Sequence, residues 1–158
     1  MEGGCACGHI RYRLYGSPMM VHACHCTCCQ RETGTVHALN AMYEFDRVEH
    51  LKSEPDIIDT PSASGKGQRI ARCPVCKVGS GATIPAQVPQ CASCASAPWT
   101  TRANVPPVIH IFTSTKQPWV TLPPGAKAFA EFYDINEVWP GEARERRRAL
   151  RERMKQQG

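Results

Sequence analysis

Four cysteines lie within six residues of this chain, and this spacing limits the fold more than any other feature. The stretch reads Cys24-His25-Cys26-Thr27-Cys28-Cys29-Gln30-Arg31. Thiols this close in sequence cannot all pair as disulfides without strain, because a disulfide requires particular Cα separations. A tight turn can instead present several thiolates to one tetrahedral zinc ion. The stretch therefore predicts a zinc site.

Two further cysteine pairs flank this stretch. Cys5 and Cys7 lie near the start, and Cys73 and Cys76 form a Cys-Pro-Val-Cys motif in the middle of the chain. A Cys-x-x-Cys turn resembles the knuckle of zinc ribbons, in which both sulfurs point at one metal ion. The alternative is buried free thiols, but two close pairs would then have to arise by accident. The pairs therefore predict zinc ligands.

The number and spacing of the cysteines argue against a secreted protein. Ten cysteines in 158 residues are too few and too unevenly spread for a disulfide scaffold. The first residues also lack the basic and then apolar pattern of a signal peptide. No stretch approaches the roughly 18 apolar residues that a membrane span needs. We therefore expect a soluble protein in a reducing compartment, the cytoplasm first and the nucleus as the alternative.

The net charge of +5 is concentrated in the last residues of the chain. Residues 142–157 contain seven Arg or Lys and three Glu, a net charge of +4 that leaves +1 for the rest. Good helix formers dominate 140–158, where Ala143, Leu150 and Met154 form a thin apolar stripe. The segment is therefore predicted to be a basic helical tail. A solvated helix is the favoured interpretation, and contact with nucleic acid is the alternative.

Alternating and β-branched runs predict a chain that is mainly β. Ile10, Tyr12 and Leu14 alternate with arginines, which is the period of a strand with one buried face. Residues 53–67 are rich in Pro, Ser, Gly, Asp and Lys and are predicted to be an exposed, turn-rich segment. Further strand candidates are residues 36–43, 108–112 and 126–132, although Ala38, Leu39 and Ala41 in the first of these would also suit a helix.

Taken together, the motifs resemble the glutathione-dependent formaldehyde-activating enzyme family, which also includes centromere protein V. The matching motifs are Gly4-Cys5-x-Cys7-Gly8 followed by Arg11-Tyr12, Cys24-His25-Cys26-x-x-Cys29-x-Arg31 with Gly34, and Cys73-x-x-Cys76. The resemblance resumes at His110-Ile111-Phe112, Lys116, Trp119 and Leu122, and covers about residues 3–76 and 107–140. Because the order and the spacing of the motifs agree together, the resemblance is highly specific.

The resemblance implies a compact zinc-binding domain of β-hairpins and small sheets over residues 3–139, followed by the tail 140–158. It implies a carbon–sulfur lyase or synthase that condenses formaldehyde with glutathione to S-hydroxymethylglutathione, as in formaldehyde detoxification. The implied partners are therefore a small thiol and a small aldehyde. The implied ligands are Cys5, Cys7, Cys73 and Cys76 for a structural zinc ion, and Cys24, Cys26 and Cys29 for a catalytic zinc ion.

Four other residues, within or next to the matching motifs, are candidates for contact with substrate. Arg31 is the nearby cation that could hold a glutathione carboxylate in bidentate fashion. Gln30 stands where the family usually has a second arginine, so a thiol other than glutathione is the alternative substrate. His110 and Trp119 are expected to be strand and core residues rather than contacts to substrate.

The number of thiolate ligands separates a structural site from a catalytic one. Four thiolates complete a tetrahedron, whereas three leave one position open to water or substrate. The alternative is that Cys28, His22 or His25 supplies a fourth ligand, in which case the chain would be a non-catalytic zinc module with a basic interaction arm. We expect Cys28 to be a spectator thiol, and His25 to point away from the ligands, at the surface or behind them.

Residues 77–105 break the pattern of the chain. They show no convincing periodicity, and the family has Gly-Thr-Leu-Asp-Asp-Pro in this interval. Codons exist for residues 96–102 that read as this hexapeptide in a shifted frame. We therefore predict that the segment is an out-of-frame or mis-spliced reading, that it packs poorly and that it leaves the chain less stable or inactive. Cys91 and Cys94 are for this reason excluded as zinc ligands.

Overall fold

The computed structural model describes residues 1–63, 65–83, 91–95 and 106–157, and these residues are mainly β, as the sequence predicts. The strands are β1 (Glu2–Gly4), β2 (Arg11–Leu14), β3 (Met20–Cys24), β4 (Ala38–Glu44), β5 (Val48–His50), β6 (Asp56–Thr60), β7 (Gln68–Arg72), β8 (Gly79–Thr83), β9 (Cys91–Ala95), β10 (Ile109–Ile111) and β11 (Lys127–Ala128). The helices are α1 (Thr27–Thr33), α2 (Ile135–Val138) and α3 (Gly141–Gln157). Among the described residues, no helix is both long enough and apolar enough to cross a membrane.

The strands of the described ranges form two sheets. Strands β1, β2 and β5 make a small antiparallel sheet, and the larger sheet has the order β11-β10-β3-β4-β9-β8-β7-β6. Within the larger sheet, β10 runs parallel to both of its neighbours, β3 and β11, while the other pairs are antiparallel. Every residue of β3 is buried. The strand that ends at Cys24 therefore lies in the interior of the protein, flanked by β10 and β4.

One core lies between the small sheet and the larger one. In β2, Tyr12 and Leu14 are buried while the two arginines are partly exposed, so the predicted alternation is confirmed. These side chains pack with Ile10, Val21 and Tyr43 and with two of the cysteines, Cys5 and Cys73. The first and third cysteine stretches thus meet in the same buried cluster although they are far apart in sequence.

The second core joins β3 and β10 to the C-terminal helices. It contains Met20, Ile109 and Trp139 and also Ala143 and Leu150, the two residues of the predicted apolar stripe of α3 whose side chains are described. The tail is therefore helical as predicted, but one face of it packs on the domain instead of being solvated. The side chain of Met154 lies outside the described residues.

Four sequence expectations are corrected or only partly met. The segment 53–67 is mostly exposed as predicted, but it contains the edge strand β6. The candidate strand 126–132 is reduced to the two residues of β11. Trp119 is 71% exposed and does not belong to the core, whereas His110 lies in β10 as expected. Residues 77–105 contribute the backbones of β8 and β9 to the larger sheet.

The predicted poor packing of this last segment falls mostly on parts outside the described structure. These are residues 84–90 and 96–105 and the side chains of residues 82, 83 and 91–95, which include Cys91 and Cys94. The strand pairing itself is a backbone property, because the ladder bonds join peptide groups. A sequence of small residues without proline at a bonded position can therefore pair in the sheet. For this reason the pairing of β8 and β9 does not test the shifted reading frame, which stays a prediction.

Candidate metal centre

Cys5, Cys7, Cys73 and Cys76 come together as a four-thiol cluster. Cys5 and Cys7 follow β1, and the other two lie in the turn after β7. The four Sγ atoms all lie within 4.8 Å of one another, with Cys5 and Cys7 3.4 Å apart and Cys7 and Cys73 3.7 Å apart. A tetrahedral zinc ion with Zn–S bonds of about 2.3 Å holds its sulfurs about 3.8 Å apart. The cluster therefore fits a metal ion bound by four thiolates.

Backbone amides point at the sulfurs of this cluster. The amide of Ile10 donates to Cys5 Sγ at 3.2 Å, and the amides of Val75 and Cys76 approach Cys73 Sγ at 3.4 and 3.5 Å. Burial of Cys5 disfavours its thiolate, but the bond from Ile10 and the neighbouring thiols outweigh burial and lower its pKa to about 6. The cluster thus stabilises negative sulfur at Cys5, and the thiolate is the form that binds metal.

Cys24, Cys26 and Cys29 come together as a three-thiol cluster. Cys24 ends β3, Cys26 caps α1 in an extended conformation, and Cys29 lies in the first turn of that helix. Their Sγ atoms all lie within 4.8 Å of one another. The amide of Cys29 donates to Cys26 Sγ at 3.3 Å. A strand end and a helix start therefore supply three sulfurs to one point.

Negative charge in the three-thiol cluster is concentrated on Cys26. Hydrogen bonds from the thiols of Cys24 and Cys29 outweigh burial and lower the pKa of Cys26 to about 3. The hydrogen bond to Cys26 raises the pKa of Cys24 to about 12, and the bonds to both neighbours raise the pKa of Cys29 as well. Cysteine binds metal as the thiolate, so a metal ion at this place would replace the protons of Cys24 and Cys29. The cluster therefore has the chemistry of a cation site.

Within the described part of the chain, no fourth His, Cys, Asp or Glu joins the three-thiol cluster. The ring of His22 is hydrogen-bonded to the hydroxyl of Tyr133, and His25 Nε2 lies 2.9 Å from His110 Nδ1. Cys28 is half-buried against the core beside the cluster. None of the three residues considered as a fourth ligand therefore stands in that position.

A group of three histidines lies behind the thiol-bearing loop. His25 is fully buried, which excludes the surface and leaves the place behind the ligands as the one of the two expected places that fits. Its ring stacks on that of His110 at 5.2 Å and lies 5.1 Å from that of His37. Burial, followed by the charges of the other two histidines, lowers the pKa of His25 to about 4. Sequence reasoning missed His37, although antiparallel pairing of Cys24 with Ala38 places it next to His25.

The side chain of Gln30 ties α1 to the loop that follows β10. Its Nε2 donates to the carbonyls of His25 at 2.6 Å and Thr115 at 2.9 Å, and its Oε1 accepts from Gln117 at 2.6 Å. An arginine could make the two donations but could not accept the third bond. Arg31, the next residue, is exposed on the same helix. Gln30 thus holds α1 against the loop after β10, and Arg31 lies at the surface, two positions after Cys29 on the same helix.

A family model described as glutathione-dependent formaldehyde-activating enzyme matches residues 1–115. A solved crystal structure of a Rhodobacter sphaeroides protein is similar, with 16% sequence identity and a TM-score of 0.45, over 60% of this chain and 83% of that one. The search of curated proteins found no match.

Proposed function

The chain belongs to the glutathione-dependent formaldehyde-activating enzyme family, and from this premise we propose that it is a zinc-dependent carbon–sulfur lyase or synthase. The proposed reaction condenses formaldehyde with glutathione to S-hydroxymethylglutathione, or joins a related thiol and aldehyde. In it the thiol sulfur forms a bond to the carbonyl carbon, and the carbonyl oxygen takes up a proton. The reverse reaction breaks the same carbon–sulfur bond.

The two clusters are proposed to have different tasks. The four-thiol cluster would hold a structural zinc ion, because four thiolates complete the coordination of zinc. The three-thiol cluster would hold the catalytic zinc ion, and the observation that carries this proposal is the lack of a fourth side-chain ligand among the described residues. Zinc bound there would polarise an aldehyde oxygen or keep a substrate thiol in its thiolate form.

The surrounding residues would hold the three thiolates and the substrate. The amide of Cys29 stabilises the negative sulfur of Cys26, and Gln30 fixes the helix on which Cys29 lies. The exposed guanidinium of Arg31 would bind a carboxylate of glutathione through two parallel hydrogen bonds. The exposure of Arg31 on the helix that carries Cys29 supports this assignment, because a tripeptide thiol reaching the cluster would bring its carboxylates to the surrounding surface.

The test is zinc quantitation together with an assay of formaldehyde consumption in the presence of glutathione. We expect two zinc ions per chain and turnover that depends on both substrates. Cys26→Ser should retain one zinc ion and lose turnover. Cys28→Ser is the matched control, since it removes a neighbouring thiol of α1 that lies outside the cluster. This variant should retain both zinc ions and full turnover. Two bound zinc ions without any turnover of thiol and aldehyde would contradict the proposal and favour a non-catalytic zinc module.

A further inference from the structure

Helix α1, which carries Cys29, is short and at least partly exposed along its length. It has seven residues, and none of them is fully buried. A helix of this length is unstable on its own, so its position must be set by tertiary contacts. Because Cys26 caps it and Cys29 lies in its first turn, the same contacts also set the separation of the sulfurs in the three-thiol cluster.

An ion pair holds the C-terminal half of this helix. Glu32 Oε2 accepts a hydrogen bond from Arg72 Nη2 at 2.6 Å, and each side chain is only about a quarter exposed. Glu32 lies three residues after Cys29 and therefore on nearly the same side of the helix. Gly79 faces the pair, and a Cβ there would lie 3.2 Å from Glu32 Oε1. The glycine thus leaves the space that the carboxylate occupies.

The same arginine also contacts the turn that forms the four-thiol cluster. Arg72 directly precedes Cys73, and its Nη1 donates to the carbonyl of Lys77 at 3.2 Å. Lys77 follows Cys76, adopts a positive φ of 60° and donates its amide to the carbonyl of Cys73 at 3.0 Å. One guanidinium group therefore touches the end of one metal-binding turn and the helix of the other cluster.

We propose that the Glu32–Arg72 ion pair is a positioning contact through which the four-thiol turn orients the three-thiol cluster. A metal ion in the four-thiol cluster fixes the turn, the turn fixes the guanidinium, and the guanidinium fixes α1 and Cys29. The pair does not touch substrate, so its effect is on the geometry and metal affinity of the three-thiol cluster. This inference rests on the proposed function, because it assumes that both clusters hold metal.

Cobalt(II) absorption tests the inference without an activity assay. The full chain, freed of metal under reducing conditions, first receives one equivalent of zinc, which fills the four-thiolate site. Cobalt(II) is then titrated, and its visible absorption bands report both the affinity and the coordination geometry of the three-thiol cluster. Cys26→Ser should take up no cobalt in this protocol, which confirms where the cobalt binds.

Removal of either partner should weaken cobalt binding and change the spectrum. We expect Glu32→Gln and Arg72→Gln each to raise the Kd for cobalt about tenfold, the lower end of what contacts behind metal ligands contribute. The double variant should bind cobalt with the same Kd as either single variant, because the two residues act as one unit. The exchanged pair, Glu32→Arg with Arg72→Glu, should recover part of the affinity.

Arg69→Gln is the matched control. Arg69 lies on the same strand, β7, but its guanidinium is 3.9 Å from the carboxylate of Asp59, which belongs to the edge strand β6 and not to α1. Its replacement should therefore leave the cobalt Kd and spectrum unchanged. Wild-type Kd and spectrum in Glu32→Gln and Arg72→Gln, with only a lower Tm, would overturn the inference and leave the proposed function intact. Additive losses in the double variant would overturn it as well. If the wild-type chain takes up no cobalt after one equivalent of zinc, the proposed function fails and the inference fails with it.

Discussion

A single backbone hydrogen bond sets the geometry at Cys26. This residue caps α1, and its sulfur accepts the amide hydrogen of Cys29 in the place where a serine or aspartate oxygen commonly acts. A serine at position 26 could therefore accept the same bond and keep the start of the helix. The sulfur is needed for metal, whereas the helix start needs only an acceptor.

The first prediction compares this cysteine with one from the four-thiol cluster. Cys76→Ser or Cys73→Ser should unfold the domain, because a structural zinc site contributes folding free energy on the order of 10 kcal/mol in small domains. Cys26→Ser should keep the fold and abolish turnover. Circular dichroism melts before and after addition of a chelator measure the difference. Equal loss of structure in Cys26→Ser and Cys76→Ser would show that the two clusters do not divide their tasks in this way.

The second prediction concerns Arg31 as the contact to glutathione. Arg31→Gln should raise the KM for glutathione about tenfold with little change in kcat, because a charge-assisted contact made equally in substrate and transition state contributes about 1.5 kcal/mol or more. Arg151→Gln, an exposed arginine on α3, is the control and should leave KM unchanged. Steady-state kinetics at fixed formaldehyde supply the measurement. An unchanged KM in Arg31→Gln would assign the carboxylate of the thiol to another residue.

At the scale of elements, α3 is fixed to the sheet by both apolar and ionic contacts. Ala143 and Leu150 are buried, and between them Arg146 donates to both oxygens of Glu44 at 2.8 and 2.7 Å. Glu44 is the last residue of strand β4, and its side chain is only 4% exposed. A buried ion pair that loses one partner leaves an uncompensated charge, which is strongly destabilising.

The third prediction is that Glu44→Gln lowers the free energy of unfolding by about 3 kcal/mol at neutral pH. Burial raises the pKa of Glu44, but hydrogen bonds from Arg146 and the charge of Arg47 outweigh burial, and the net pKa lies below the usual value. The unfolded chain therefore binds this proton at a higher pH than the folded one does. The stabilisation is present above the unfolded pKa of about 4.5 and is lost as the pH falls through the folded value.

Urea unfolding of wild type and Glu44→Gln between pH 7 and pH 3 measures this effect. The difference in stability should be largest at neutral pH and should shrink as the solution is acidified. Glu145→Gln, an exposed carboxylate of α3, is the matched control and should alter stability by less than about 0.5 kcal/mol. A difference that does not depend on pH would show that the glutamine variant loses packing and not a charge interaction.

The elements that the sequence predicts well are those whose pattern is local. Strand β2 alternates buried and exposed residues, and α3 consists of strong helix formers, so both follow from period and propensity. Strand β6 was missed because Ile57 and Ile58 are both exposed at the sheet edge, which leaves no alternation. Helix α1 was also missed, since its sequence has no apolar period and it is held by Gln30 and Glu32 instead.

At the scale of the whole molecule, the two thiol clusters lie in two different cores. Cys5 and Cys73 pack with the small sheet, while Cys24 and Cys26 pack with the core that α3 covers. The spacing within each motif predicts zinc ligands, and the resemblance to the family implies the grouping of Cys5 and Cys7 with Cys73 and Cys76 that the structure shows. The ion pair between Glu32 and Arg72 could not be predicted, because the two residues are 40 positions apart and neither belongs to a motif.

The last prediction concerns the strands that complete the larger sheet. Strand β8 reads Gly-Ser-Gly-Ala-Thr and β9 reads Cys-Ala-Ser-Cys-Ala, residue types that offer little apolar area and, in the case of glycine, weaken strands. Both lie within residues 77–105, which we predict to be read out of frame. A run of codons such as TCG GCA CCC TGG ACG ACC CGN encodes Ser-Ala-Pro-Trp-Thr-Thr-Arg at 96–102 and contains GGC ACC CTG GAC GAC CCG in the shifted frame.

The nucleotide sequence of the gene is the first measurement. We expect the shifted frame to restore Gly-Thr-Leu-Asp-Asp-Pro and, before it, a strand with alternating apolar residues. A protein made from the restored frame should bury more apolar side chains in the same backbone ladder. Each additional buried valine or phenylalanine contributes roughly 1.5–3 kcal/mol, so Tm should rise by several degrees. Third bases that do not give Asp-Asp-Pro, or a restored protein that is no more stable than this chain, would show that the small residues of β8 and β9 are native to the sheet.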